Sequence, residues 1–209
     1  MGKKLLLIGG GGHCKSVLDS VLSLRVYDKI GIVDYTNTPI GGVPVVGQDE
    51  DLPSLLKAGW TDAIITVGSI GDTALRRRLY KMASDVGFDI PAIADPSAVI
   101  AQDVVLSAGC YVGKGAILNA GSIIGRAAII NTGAVIEHEC VLGEFAHISP
   151  GAVLCGQVIV GEDSHIGAAA VVRQQIKIGK GVVVGIGSVV VNNIPDHVKA
   201  YGNPCRVVE

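Results

Sequence analysis

No stretch of this 209-residue chain approaches the roughly 18 uninterrupted apolar residues of a membrane-spanning helix. Mean hydropathy is nevertheless +0.49, so the apolar excess belongs to a core. The pair Lys3-Lys4 leads into only four aliphatics before Gly9, which argues against a secretory leader. The five cysteines, Cys14, Cys110, Cys140, Cys155 and Cys205, are odd in number and show neither CxxC nor Cys/His metal spacing. That argues against a disulfide framework and fits a reduced, cytoplasmic chain. Basic charge is not in excess either. Seventeen Lys and Arg against 19 Asp and Glu leave a net charge of −2, too little positive charge to neutralise the phosphates of a nucleic acid. A small anionic ligand stays compatible. At 21.4 kDa there is room for one or two domains with enough core to fold unaided.

What is present is a period of six. From Ile100 onward an aliphatic residue returns at Leu106, Val112, Leu118, Ile124, Ile130, Ile136, Leu142, Ile148, Leu154, Val160, Ile166, Val172, Ile178, Val184 and Val190. If about one residue in three were aliphatic, this unbroken series would arise by chance with probability on the order of 10⁻⁸, so it is a structural repeat. On an α-helix such a step would smear the apolar position over three faces. On short strands joined by corners it makes a hexapeptide β-helix. Glycine often follows the aliphatic residue, as at Gly113, Gly125, Gly143, Gly161, Gly167, Gly179 and Gly185, and small residues such as Cys110, Ala116, Ser122, Ala134, Cys140, Ala152 and Ser164 let the corners close. Three hexads form an 18-residue coil, which predicts about five coils with residues 18 apart stacked roughly 4.8 Å along the axis. The outward column Val99, Ile117, Val135, Val153, Val171 and Val189 is then an apolar stripe. We expect it to be buried between subunits, most simply of a homotrimer.

The first 92 residues read as a separate α/β domain, with the repeat domain spanning 93–209 and the link running through Pro91 and Asp95-Pro96. Lys4–Ile8 is a buried parallel strand, followed by Gly9-Gly10-Gly11-Gly12 and a helix with Val17, Leu18, Val21 and Leu22 on one face. Further strands at Ile30–Val33, ending in Asp34, and Ala63–Val67, ending in Gly68-Ser69, precede a basic helix around Leu75–Met82. The order βαβ(β)βα implies a half-Rossmann-like parallel sheet with a ligand crevice at the carboxyl ends of its strands. N–H groups at Gly9–Gly12 suit a phosphate, and Asp34 suits a ribose hydroxyl or a base. The full dinucleotide fingerprint is absent, because Cys14 stands where its third Gly belongs. A mononucleotide or nucleotide-sugar is therefore expected in preference to NAD.

Among the repeats, the hexad Ile136-Glu137-His138-Glu139-Cys140-Val141 is the strongest departure from a bland surface. His138 sits at an outward corner, and one coil on lies Gly156, whose missing side chain leaves its N–H approachable. A base thus faces a possible oxyanion donor. His147 and His165, also 18 apart, are expected to stack on one outer face. They lack a third ligand and a thiolate cluster, so a ligand hydrogen bond from His147 is the expected role and no metal is assigned. Cys140 falls in a small corner slot and is expected to pack rather than attack. Arg173, Lys177 and Lys180 place positive charge on the later coils, suited to the phosphates of a long cofactor.

The run Asn131–Gly151, including Glu137-His138-Glu139-Cys140 and His147, resembles the bacterial hexapeptide-repeat sugar acetyltransferases of the PglD/NeuD-like group. Leu7-Ile8-Gly9-Gly10-Gly11-Gly12-His13 is similar to that family's glycine loop, and Ile194-Pro195 with Gly202-Asn203-Pro204 is similar to its C-terminal closure. The resemblance implies a left-handed β-helix, a trimer, acetyl-CoA bound between neighbouring prisms, and a nucleotide-linked, UDP-type amino sugar in the N-terminal domain. It implies His138 as general base, Glu139 as its orienting acid, Gly156 as amide donor to the thioester carbonyl, and His147 and Asn131 in the same pocket. It also implies that Gly9, Gly11, Gly12 and His13 border the phosphates, with Asp34 near the uracil or ribose. O-acetylation of a sugar hydroxyl, or a non-catalytic nucleotide-sugar-binding scaffold, are the readings left beside N-acetylation.

Overall fold

The computed structural model describes residues 2–208. Its N-terminal unit runs β1 (Lys4–Ile8), α1 (Gly12–Leu24), β2 (Lys29–Val33), β3 (Val45–Gly47), α2 (Leu52–Lys57), β4 (Asp62–Ile65) and α3 (Ala74–Val86). The sheet order is β3-β2-β1-β4 with every pairing parallel. Parallel strands covered on both faces need continuous apolar runs, and Leu5, Leu6, Leu7 and Ile8 are all buried. The sequence pattern places Leu22 on the buried face of α1 and extends β4 to Val67. Leu22 is in fact exposed, at the C-terminal side of a stripe that ends with Val21, and β4 stops at Ile65.

From Ile93 the chain winds into a left-handed prism of two-residue strands forming three parallel sheets. Face one carries Val99, Ile117, Val135, Val153, Val171 and Val189. Face two carries Val105, Ile123, Val141, Ile159 and Lys177. Face three carries Ile93, Tyr111, Ile129, His147, His165 and Val183. Each register step is 18 residues, as in Val135↔Val153 and Ile136↔Leu154. The repeat begins one hexad earlier than its aliphatic ladder, at Ile93–Ala94, because Ala94 occupies the first ladder position. The last turn is shortened: Ile178 pairs with Ile194 and Val183 with Lys199, after which an antiparallel hairpin of Lys199–Gly202 and Cys205–Val207 closes the end.

Inside the prism, Val112, Leu118, Ile124, Ile130, Ile136, Leu142, Ile148, Leu154, Val160 and Ile166 form one continuous core, each worth about 1.5–3 kcal/mol when fully buried. Backbone N–H groups on each strand donate to the next coil, for example Val135 N–H to Ala152 O at 2.9 Å. The glycine column beside face two has a steric cause. A Cβ on Gly125 would lie 2.6 Å from the carbonyl carbon of Gly143, and one on Gly143 would lie 2.8 Å from Glu162 Cα.

Face three is covered by the N-terminal unit of the same chain. Ile93, Tyr111 and Ile129 join the core formed by Cys14, Val17, Leu18 and Val21 of α1. Ser20 Oγ donates to Asp95 Oδ2 at 2.6 Å. On the other side, Arg77 Nε donates to Asp163 Oδ1 at 2.7 Å, Thr73 hydrogen-bonds the same carboxylate, and the buried Arg76 donates to the backbone carbonyls of Phe145, at 3.0 Å, and Ala127. Faces one and two remain apolar and uncovered, with Val99, Val105, Ile117, Ile123, Val141, Ile159 and Val171 exposed. The sequence singled out only the first of these two stripes.

Since coil spacing is set by backbone hydrogen bonds, Gly143→Ala cannot be relieved by moving a flexible side chain. We expect a loss of about 1–3 kcal/mol in stability, read from denaturant or thermal melts. An unchanged midpoint would refute the close-approach account.

Candidate active site

The hexad containing His138 forms the corner between faces one and two. The His138 side chain is 57% exposed, and its Nδ1–H donates to Glu139 Oε2 at 3.1 Å. That tautomer leaves Nε2 as the free acceptor. The ring lies against Gly156 on the next coil: a Cβ there would come within 2.6 Å of His138 Cε1, so a larger residue at 156 would push the ring out of this position. The corner is held by Gln157 N–H donating to His138 O at 2.8 Å and by Glu137 N–H donating to Leu154 O at 2.9 Å. Among the described residues, Gly156 N–H donates to no other group. Cys140 is buried with Sγ 3.3 Å from Cys155 O, and burial pushes its thiol up to about 11, which suits packing and not nucleophilic attack.

Further along this corner is a cavity of ≈540 Å³ lined by Cys155, Arg173, Gln174, Gln175, Ile176, Asn192 and Asn193. Arg173 is thus brought to the same corner of the prism as His138, and Lys177 is exposed where face two begins beside it. Lys180 is not. It sits at the following corner, where Nζ pairs with Glu162 at 2.8 Å. Sequence reasoning passed over Gln157 and Gln175, which continue the Glu139 column at 18-residue spacing. Gln157 Nε2 donates to Glu139 Oε2 at 3.0 Å, and Gln175 Nε2 to Gln157 Oε1 at 2.9 Å.

A second group forms on face three. His147 and His165 do lie one above the other on successive coils, edge-on with ring centroids 4.9 Å apart and planes at 86°, but not on an outer surface: they are 9% and 6% exposed because the N-terminal unit lies over them. His147 Nδ1–H donates to Ser69 O at 2.9 Å, while Asn131 Nδ2 lies 3.4 Å from Nε2, a pairing that fits neutral imidazole. His165 Nε2 lies 3.2 Å from Ser149 Oγ, and its Nδ1 is buried without a partner. Arg76 donates to Ser69 Oγ at 3.2 Å, fixing the loop that carries Gly68 and Ser69. His13 packs edge-on to Tyr111, with Nε2 also buried and unpartnered. Within one chain, then, Asn131, His147 and His165 do not share the His138 corner.

At the glycine turn the structure narrows the expected phosphate contacts. Gly9 N–H donates to Val33 O at 2.9 Å, and Gly10 N–H to Asp34 Oδ2 at 2.6 Å, so neither is free. Gly9, at φ +105°, is required because a Cβ would strike Val67. Gly11 and Gly12 open α1 with clear space around them, and their N–H groups with that of His13 are the ones available to an anion. Asp34 is mostly committed to its own loop. Burial raises its carboxyl, but hydrogen bonds from Thr36 N–H, Gly10 N–H and Thr36 Oγ1 outweigh it and hold the group below the usual range. Beside this turn a cavity of ≈770 Å³ is lined by Gly10, Lys15, Leu18, Leu22, Thr36, Thr38, Pro39 and Ile40, which accounts for the exposure of Leu22.

The prism with a histidine–glutamate corner under a facing glycine defines a hexapeptide-repeat acyltransferase. Comparison with known proteins agrees. Residues 4–83 match the PglD N-terminal domain, and residues 139–174 match the bacterial transferase hexapeptide (six repeats). The acetyltransferase domain of PglB from Neisseria gonorrhoeae FA1090, solved with acetyl coenzyme A, is 36% identical over 100% of both chains with a TM-score of 0.94. PerB from Caulobacter crescentus, solved with CoA and GDP-perosamine, is 40% identical over 100% of this chain and 98% of its own, also with a TM-score of 0.94. WeeI from Acinetobacter baumannii AYE shares the fold at 22% identity, with 99% and 100% coverage and a TM-score of 0.80. No curated protein sequence matches significantly. The chain belongs to the PglD/NeuD-like family of hexapeptide-repeat sugar acetyltransferases.

Burial lowers His147 to about 3 and His13 to about 4, against about 6.5 in an unfolded chain. Below pH 6.5 the unfolded state binds more protons, so stability falls as pH drops from 6.5 toward 4, with a limiting slope of about 1.4 kcal/mol per pH unit for each histidine. His147→Asn should flatten the melting temperature against pH in that window. Curves of identical slope for wild type and variant would show that the buried imidazole carries no such linkage.

Proposed function

We propose that this protein transfers the acetyl group of acetyl-CoA directly to the amine of a nucleotide-linked amino sugar, with His138 as general base. The observation that carries the reading is the His138 corner: Nδ1 tied to Glu139, Nε2 free, and the ring lying against Gly156, whose N–H is uncommitted. The ligands of the PglB domain and PerB support the choice of donor and acceptor class. As the neutral sugar nitrogen attacks the thioester carbonyl, Nε2 accepts its proton and Glu139 stabilises the imidazolium. Gly156 N–H donates to the oxygen on which negative charge develops. Collapse breaks the carbon–sulfur bond, and the departing thiolate takes the proton back from the imidazolium. The buried Cys140 offers no thiolate for a covalent acyl-enzyme, so transfer occurs in a ternary complex.

Geometry also supports a homotrimer. The His138 corner lies between faces one and two, opposite face three, where the N-terminal unit sits. An acceptor held at Gly11-Gly12 therefore meets a His138 supplied by a neighbour, and the two uncovered apolar faces are the surfaces such packing would bury. UDP is the nucleotide that the family resemblance implies, and GDP is the one bound to PerB. We place the N-acetylation in bacterial glycan synthesis.

The test is thiol release from acetyl-CoA with UDP- and GDP-linked amino sugars and hydroxyl analogues. Wild type should turn over an amino sugar, and His138→Ala should lose about 10²–10⁴-fold. Full activity in the variant would overturn the base assignment, and reaction of hydroxyl acceptors alone would overturn N-acetylation. Light scattering should give three times the chain mass, falling to one for Ile117→Asp, whereas a monomeric wild type would remove the trimer.

A further inference from the structure

Three side chains stacked on successive coils lead away from the His138 corner, and the proposed mechanism uses only the first. Glu139, Gln157 and Gln175 occupy one slot at 18-residue spacing, all with left-handed backbones at φ +58°, +62° and +61°. Their backbones are fixed by Glu139 N–H to Ala120 O, Gln157 N–H to His138 O and Gln175 N–H to Gly156 O, at 2.8, 2.8 and 2.9 Å. Resting on the proposed role of His138, we infer that Gln157 is a positioning residue for the catalytic pair, holding Glu139 against His138 Nδ1, and that Gln175 in turn fixes the amide of Gln157.

Side-chain freedom and amide direction both bear on this role. The Glu139 side chain is 60% exposed, so an untethered carboxylate at this corner would sample several rotamers in water. A single oxygen, Oε2, receives both the imidazole N–H at 3.1 Å and the Gln157 amide at 3.0 Å. The second contact fixes the carboxylate in the rotamer that favours the Nδ1–H tautomer and keeps Nε2 toward Gly156. An amide can be turned either way, however. Gln175 Nε2 donating to Gln157 Oε1 makes that oxygen the acceptor and leaves Nε2 of Gln157 as the donor to Glu139. The corner spacing of the fold suits the length of these amide links. A neutral donor also preserves the full negative charge of Glu139 for the imidazolium, which a lysine or arginine at 157 would partly cancel.

The experiment is steady-state kinetics of Gln157→Ala, with Gln157→Met as a variant of similar bulk lacking the amide. Ala127 and Ala169 already occupy left-handed corners of this prism at φ +52° and +54°, so alanine is compatible with the backbone at 157. Both variants should keep the wild-type melting temperature and the KM for both substrates while kcat falls about 10-fold, in line with loss of an outer partner that orients a reacting group. In a Glu139→Gln background, the same substitutions should change kcat less than two-fold, because the residue acts only through that carboxylate. Gln175→Ala should lower kcat by a smaller factor than Gln157→Ala. Unchanged kcat in Gln157→Ala and Gln157→Met, with wild type active and His138→Ala inactive, would overturn this inference alone. A rise in the KM for acetyl-CoA at constant kcat would instead make Gln157 a cofactor contact and equally overturn it. An active His138→Ala would overturn the proposed base, and with it the premise.

Discussion

Every feature of the repeat region follows from one constraint, the in-register hydrogen bonding of each coil to the next at an 18-residue step. Because Val135 N–H must reach Ala152 O and Gln157 N–H must reach His138 O, residues 18 apart are held in contact. The constraint turns sequence columns into structural ones. Aliphatics at every sixth position fill the interior, and glycines at 125, 143 and 161 admit the neighbouring backbone where a methyl group would strike it. At the corner between faces one and two, the same step sets the His138 imidazole against Gly156. In the proposed mechanism, base and oxyanion donor are therefore brought together by the same stacking that stabilises the fold.

The contrast between His138 and His147 shows how a second, long-range contact decides chemistry. Both project outward from a coil. His138 remains in water at an uncovered corner, whereas His147 lies beneath the N-terminal unit, held by Ser69 O and lowered by burial to about 3. Arg76 maintains that cover, reaching carbonyls of Ala127 and Phe145, 51 and 69 residues away in sequence. Its guanidinium is buried with carbonyls in place of a carboxylate, an arrangement that stands because several acceptors converge on it.

These distances also explain what can be read from the chain alone. The ladder from Ile100 to Val190 and the pairing of His138 with Gly156 are legible, because both reduce to counting by 6 and 18. The same arithmetic reaches Glu162 below Lys180 and Gln157 above Glu139, but residue type conceals both pairs: the lysine reads as a free cation, and glutamine carries no titratable group to draw notice. Docking on face three is illegible, since no local period encodes which sheet a separate domain will cover. Nor can the glycine turn reveal that Gly9 and Gly10 N–H groups are already satisfied by Val33 and Asp34. Local packing leaves a periodic trace in sequence, while tertiary hydrogen bonding mostly does not.

The prism's triangular section has a further consequence for the reaction. A corner is as far from the opposite face as the cross-section allows, so the N-terminal unit and the His138 corner of one chain face different directions. In the proposed assembly, covering face three serves two ends. It shields a sheet that would otherwise expose Ile93, Tyr111 and Ile129, and it sets the glycine turn, the proposed acceptor site, where a neighbouring prism would present the proposed base. On that proposal catalysis depends on assembly: a lone chain would retain its core, its corner and the crevice beside its glycine turn, yet lack the proposed juxtaposition of acceptor and base. In the proposed arrangement, a substitution in the loop from Thr36 to Gly41, which lines the cavity beside the glycine turn, leaves the His138–Glu139–Gly156 corner of the same chain undisturbed.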